Sequence, residues 1–217
     1  MAHWLNLLVM FFFVTFTTNT EAFDAYMVAA QWPPAVCRPP TPCLNPQGGH
    51  SFSVHGVWPT NTNSIIRPSA CSQAVNFDPN NIPADQRAAL DRVWPDLKGG
   101  NNEVFWKHQW DDHGKCSGLS QVDYFWKCLK LWELGKLDAR LANAGIVTSN
   151  TPTLISTFES LLAKQMEGVV PILTCRGKVN KRELLEIRFC FNMTNNFVPC
   201  GVVDKTCTPA THILWFT

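Results

Sequence analysis

Four of the six histidines of this chain fall in two short, tryptophan-rich segments: His50 and His55 in one, His108 and His113 in the other. Histidine has its ordinary pKa close to neutral pH, so a pair brought together can serve as acid and base in one reaction. The second segment reads Phe105-Trp106-Lys107-His108-Gln109-Trp110-Asp111-Asp112-His113-Gly114-Lys115-Cys116. At about 100° per residue on a helix, counting from Phe105, His108 falls at about −60°, Asp112 at about −20°, Gln109 at about +40° and His113 at about +80°. These four polar groups then share an arc of about 140° on one face. Trp106 and Trp110 lie beyond His113, where they can flank a site, although a core role is the plainer reading of Trp106.

Two histidines with an amide and a carboxylate suit acid–base chemistry better than metal binding. His108 and His113 are five apart, whereas zinc pairs on a helix favour the spacing of four seen in HExxH. Asp112 is the third ligand a zinc reading would need. A serine hydrolase has less support, because the chain holds no GxSxG motif. Cleavage of a phosphodiester by an internal hydroxyl needs one group to take the proton of the attacking oxygen and another to protonate the leaving oxygen. One histidine from residues 52–59 and one from residues 105–116 would supply that pair with no metal and no cofactor.

Phe52-Ser53-Val54-His55-Gly56-Val57-Trp58-Pro59 and the segment at 105–116 resemble the two active-site segments of the ribonuclease T2 family. Gln31-Trp32-Pro33-Pro34-Ala35-Val36-Cys37 is similar to the N-terminal strand of plant members, and Trp94-Pro95 and the cysteine spacing also fit. The resemblance implies a metal-independent endoribonuclease of α+β fold. In this family the 2′-hydroxyl attacks the adjacent phosphorus, and the 2′,3′-cyclic phosphate so formed is opened to a 3′-phosphate. By resemblance, His55 protonates the leaving 5′-oxygen, His113 is the base on the 2′-hydroxyl, His108 helps hold the phosphate, and Gln109 stands at the catalytic position next to it. Trp58 and Phe105 match aromatic residues of the two segments, and Gln31, Asp96 and Leu97 lie where plant members contact bases. The family's disulfides map to Cys37–Cys43, Cys71–Cys116, Cys175–Cys207 and Cys190–Cys200, leaving Cys128 over.

Two positions depart from the pattern. Gln109 stands where the family usually has glutamate, and Asp112 where it usually has lysine. A preorganised donor at a developing oxyanion is worth about 10²–10³ in rate, so an anion at position 112 implies an active enzyme with weakened turnover. Lys115 is the neighbour that could pair with Asp112 and partly cancel it. The resemblance also carries two other readings, a catalytically silent storage or defence protein and a pistil self-incompatibility ribonuclease. The latter would add a protein recognition partner, read through residues 65–81.

The elements that must position these groups follow from periodicity and breakers. Residues 26–32 read as a strand stopped by Pro33-Pro34, and 52–58 as an alternating strand ended by Pro59. A Pro/Gly-rich loop joins them, and residues 60–83 read as a long loop. Helices are expected over 84–94, 105–114 (capped by Asn101 or Asn102), 121–134 (capped by Ser120), 136–144 and 152–167. Strands are expected over 169–175, 183–192 and 212–216. Strands and helices mix without regular βαβ alternation, which gives an α+β class and a single domain over residues 23–217.

Residues 1–22 read as a cleaved signal peptide: an apolar run over 5–16, then a polar stretch ending Thr20-Glu21-Ala22. The run is too short to span a bilayer, so the chain is expected to be secreted, monomeric and without membrane partners. In an oxidising compartment the nine cysteines become a disulfide framework with at least one left over. Asn192-Met193-Thr194 is then a glycosylation sequon. The full chain has 217 residues, 18 Lys+Arg against 17 Asp+Glu, and 46% hydrophobic residues. Intrinsic disorder is excluded, and an RNA partner would need a local cationic pocket rather than a basic surface.

Overall fold

The computed structural model describes residues 23–40, 43–44, 51–64, 68–69, 71, 75–178, 182–201, 206–207 and 212–215. The expected signal peptide and His50 lie outside them, as does part of the 65–81 segment.

A mixed sheet forms the centre of the domain. Strand β1 (Ala25–Gln31) is buried along its whole length and lies between β2 (Ser53–Thr60) and β5 (Arg182–Asn192), antiparallel to both. Beyond β5 come β7 (His212–Trp215), parallel to it, and β3 (Ser149–Leu154). β4 (Ile172–Arg176) and the short β6 (Phe197–Val198) also pair with β5.

The two faces of the sheet differ. Tyr26, Val28 and Ala30 of β1 point into the main core with Val54, Val57, Ile187 and Phe189. Among the described residues the α-helices are α1 (Pro33–Val36), α2 (Ala84–Val93), α3 (Asn102–Asp112), α4 (Gln121–Gly135), α5 (Leu137–Asn143) and α6 (Ile155–Ala163). Met27 and Ala29 point the other way and pack with Trp58, Ile172, Cys190 and Cys200. This alternation is the period of two expected of a strand covered on both sides.

Several boundaries differ from the sequence expectations, each for a local reason. Pro33 and Pro34 do stop β1, but they also open α1, where a missing N–H costs nothing. β2 runs through Pro59 because it is an edge strand with one unpaired side. Residues 149–154 form β3, paired with β7, so α6 starts at Ile155 rather than at position 152. α4 ends one residue later than expected, at Gly135, where a Cβ would stand 2.7 Å from the Phe189 ring, and the left-handed residue that turns the chain is Lys136 (φ 43).

The disulfides are Cys37–Cys43, Cys71–Cys116, Cys175–Cys207 and Cys190–Cys200. Cys128 is a buried free thiol inside α4, and burial pushes its pKa up. No helix among the described residues is long and apolar enough to cross a membrane.

Candidate active site

The site is built on a β-bulge. Opposite β1, Gly56 pairs with Ala29 and Val54 with Ala30, so His55 is the extra residue of β2. In a regular strand His55 and Trp58, three apart, would face opposite sides. The bulge turns them to the same side, and their rings meet edge to face with centroids 5.5 Å apart. A bulge also leaves backbone carbonyls outside the ladder. Side chains satisfy two of the carbonyls flanking this one: Trp94 Nε1–H donates to His55 O (3.0 Å) and Tyr124 Oη–H to Val57 O (2.7 Å).

His55 reaches Glu186 on β5, across β1. Its Nδ1 lies 2.6 Å from Glu186 Oε1. The other carboxylate oxygen accepts from Arg188 Nε at 2.8 Å and Nη2 at 2.6 Å, and from Thr174 Oγ1 at 3.5 Å. Burial by itself would raise the Glu186 carboxyl. The hydrogen bond and charge of His55, and then Arg188, outweigh burial and bring it down to about 2. The Arg188 guanidinium also lies 5.5 Å from the Trp58 ring centroid.

The second segment meets the first at Trp58. Its indole N–H donates to Gln109 Oε1 at 2.9 Å, and its ring contacts His113 with centroids 5.1 Å apart. Gly56 makes this possible, since a Cβ there would overlap the indole and crowd Gln109 Oε1. α3 is capped by Asn101, whose side chain accepts from Val104 N. His113 lies just past its last turn, at φ −132 and ψ −47. The expected shared arc of His108, Gln109, Asp112 and His113 is therefore not a single face. An arc of about 140° straddles the line between core and solvent: Gln109 turns inward to Trp58, whereas His108 and Asp112 are exposed. Trp106 and Trp110 are buried, donating to Trp94 O and Val75 O, so neither walls the site.

A cleft of about 640 Å³ opens beside His55. It is lined by the sequence candidates Gln31, His55, Asp96, Leu97, Phe105 and His108, and by Lys98, Arg176 and Glu186 among the residues sequence reasoning passed over. Phe105 lies nearly parallel to the His55 ring, centroids 6.3 Å apart and planes 12° apart. Gln31 donates its side-chain N–H to Val54 O. The Asp96 carboxylate braces its own turn by accepting from the backbone N–H groups of Lys98, Gly99 and Asn101. His113 and Trp58 are not among the lining residues of this cleft.

The expectation that Lys115 pairs with Asp112 does not hold. Lys115 Nζ is 2.8 Å from Asp111 Oδ1, and Lys107 also pairs with Asp111. Burial opposes the shift, but the two lysines hold the Asp111 carboxyl below its usual range. Asp111 stands one helical turn from Lys107 on α3, while Lys115 reaches its other oxygen from the short turn after His113, where the chain has left the helix.

The profile of the Ribonuclease T2 family matches residues 23–200. The chain belongs to the ribonuclease T2 family. With that membership it is a T2-type endoribonuclease. It is 33% identical to Ribonuclease 3 of Arabidopsis thaliana over 192 residues, covering 84% of this chain and 85% of that one. It is 31% identical to Ribonuclease S-7 of Nicotiana alata, over 87% of this chain and 86% of the relative. Among solved structures, RNase NT in complex with 5′-AMP superposes with a TM-score of 0.77 at 25% identity, over 90% of this chain and 98% of the other.

Glu186 and Arg188, which contact the His55–Trp58 pair, were also passed over in the sequence. Their signal was a pair of opposite charges two apart within the strand, which places both on one face.

Proposed function

We propose that this protein is a secreted, metal-independent endoribonuclease that cuts single-stranded RNA to 3′-phosphate ends through a 2′,3′-cyclic phosphate. The observation that carries the reading is the packing of both His55 and His113 against one indole, Trp58, with ring centroids 5.5 and 5.1 Å apart. Two imidazoles held at one site can act on the two ends of an in-line displacement. In the first step His113 takes the proton of the 2′-hydroxyl, the 2′-oxygen bonds to phosphorus, the P–O5′ bond breaks, and the 5′-oxygen takes a proton from His55. In the second step the roles reverse. His55 takes a proton from water, the hydroxyl opens the cyclic phosphate, and the 2′-oxygen is reprotonated by His113.

His108, in the wall of the cleft, would hold the phosphate, while Phe105, Gln31, Asp96 and Leu97 would contact bases. Gln109 would act through Trp58 rather than on the phosphate. The cation that usually stands at position 112 is missing, and Lys115 is engaged by Asp111 instead. Turnover is therefore reduced. Removal of residues 1–22 as a signal peptide, glycosylation at Asn192 and action as a monomer belong to the same proposal. A pistil self-incompatibility setting would add a partner protein at residues 65–81 without altering the cleavage chemistry.

The exposed Asp112 favours one second reading, a silent storage or recognition protein on the same scaffold. Replacement of His55 and His113 by alanine, one at a time, separates the two. The enzyme reading expects measurable cleavage of RNA by the wild type and loss of it in both variants. No cleavage by the wild type favours the silent scaffold.

A further inference from the structure

The geometry points to Glu186 as the positioning residue of His55: it accepts the Nδ1 proton, fixes the imidazole tautomer, and so reserves Nε2 for proton exchange with the substrate. This inference rests on the proposed role of His55. Three independent features carry it. The Nδ1···Oε1 distance of 2.6 Å is that of a strong, charge-assisted hydrogen bond. The carboxylate is buried, and Arg188 holds its second oxygen through two contacts, so the acceptor stands in one place. Phe105 lies nearly parallel to the ring on one side and Trp58 meets it edge to face, so the imidazole has little freedom to rotate away.

The chemistry asks for this arrangement in both steps. As a general acid His55 must present an N–H to the 5′-oxygen. As the base of the second step it must present a bare nitrogen to water. One ring atom can do both only if the other nitrogen keeps its proton throughout, and a fixed acceptor at Nδ1 is what keeps it there. No bond to carbon or phosphorus is made or broken at Glu186, and its own proton count does not change. The other charged or titratable groups of the surroundings are Arg188 on β5, Arg176 at the end of β4, Asp96 and Lys98 of the loop before α3, and His108 on α3. The described hydrogen bonds place Glu186, and none of these, on the His55 ring nitrogen.

The test uses the leaving group. A dinucleoside monophosphate needs its 5′-oxygen protonated as it departs, whereas a nucleoside 3′-(4-nitrophenyl phosphate) releases a stable phenolate without that help. Glu186→Gln, which keeps size but can donate to Nδ1 and so invert the tautomer, is expected to lower kcat on the dinucleotide by about 10–10². The aryl ester is expected to change less than about threefold, because a lost acid proton does not affect it. His55→Ala, the reference, is expected to show the same selective loss, only larger. Equal loss on both substrates, or none on either, in a folded Glu186→Gln protein overturns the positioning role. Should that variant fail to accumulate in folded form, Glu186→Asp, which withdraws the carboxylate by one methylene, carries the same comparison with the same two outcomes. Full dinucleotide activity in His55→Ala would instead sink the proposed role of His55 itself, so the two failures are distinct.

Discussion

The indole N–H of Trp58 donates to Gln109 Oε1 at 2.9 Å, joining the two sequence segments that hold the histidines. Both residues are buried, at 6% and 7% exposure, so no water replaces the acceptor if it is removed. Gln109→Leu should destabilise the protein by about 1–3 kcal/mol, the penalty for a buried donor left without a partner. Urea denaturation measures it. Because Trp58 touches both His55 and His113, the same variant should lose activity beyond its loss of stability.

Gly56 allows that contact. Alanine at this position would put a methyl group into the indole and against Gln109 Oε1. Gly56→Ala should cost about 1–3 kcal/mol through overpacking. Thermal unfolding should show the loss, and cleavage of RNA at a temperature where the variant is still folded should fall by at least tenfold, roughly the effect of a displaced catalytic group.

In the proposed mechanism Asp112 places a negative charge near the substrate phosphate. Lys115 cannot compensate while Asp111 holds it at 2.8 Å. Asp112→Lys should therefore raise dinucleotide cyclisation by at least about tenfold, part of the 10²–10³ that such a donor is worth. An unchanged kcat would contradict the proposal that the missing cation slows turnover.

Glu186 couples stability to acid pH. Its carboxyl falls from the ordinary 4.5 to about 2 in the folded chain. A depressed carboxyl stabilises the fold above its unfolded value, and that contribution is lost as pH drops from 4.5 towards 2. At 1.36 kcal/mol per pH unit the whole effect is about 3 kcal/mol. Unfolding free energies measured across this window should fall with a steeper slope in the wild type than in Glu186→Gln.

Much of the site is local in sequence and therefore legible there. His55 and Trp58 share one strand, and Phe105, His108, Gln109 and His113 share one helix and its exit. The Asn101 and Ser120 caps and the charged-free strand of β1 also follow from residue type. What periodicity could not reveal depends on pairing between distant segments. Glu186 lies 131 residues from His55 and comes to it only because β1 separates their strands. The bulge at His55 exists only in the register between β1 and β2. Residues 149–154 become a strand because β7 is there to pair with them, although Pro152 opens an amphipathic pattern that continues as a helix.

The central claim, two-step cleavage by two histidines through a cyclic phosphate, is tested most directly by a product time course. A dinucleoside monophosphate is incubated with the wild-type protein in excess EDTA and the products are separated by chromatography. The account predicts that the nucleoside 2′,3′-cyclic phosphate rises first and the 3′-phosphate follows from it, with no loss of rate from EDTA. A 5′-phosphate product, direct formation of the 3′-phosphate without the cyclic species, or abolition of cleavage by EDTA would contradict it.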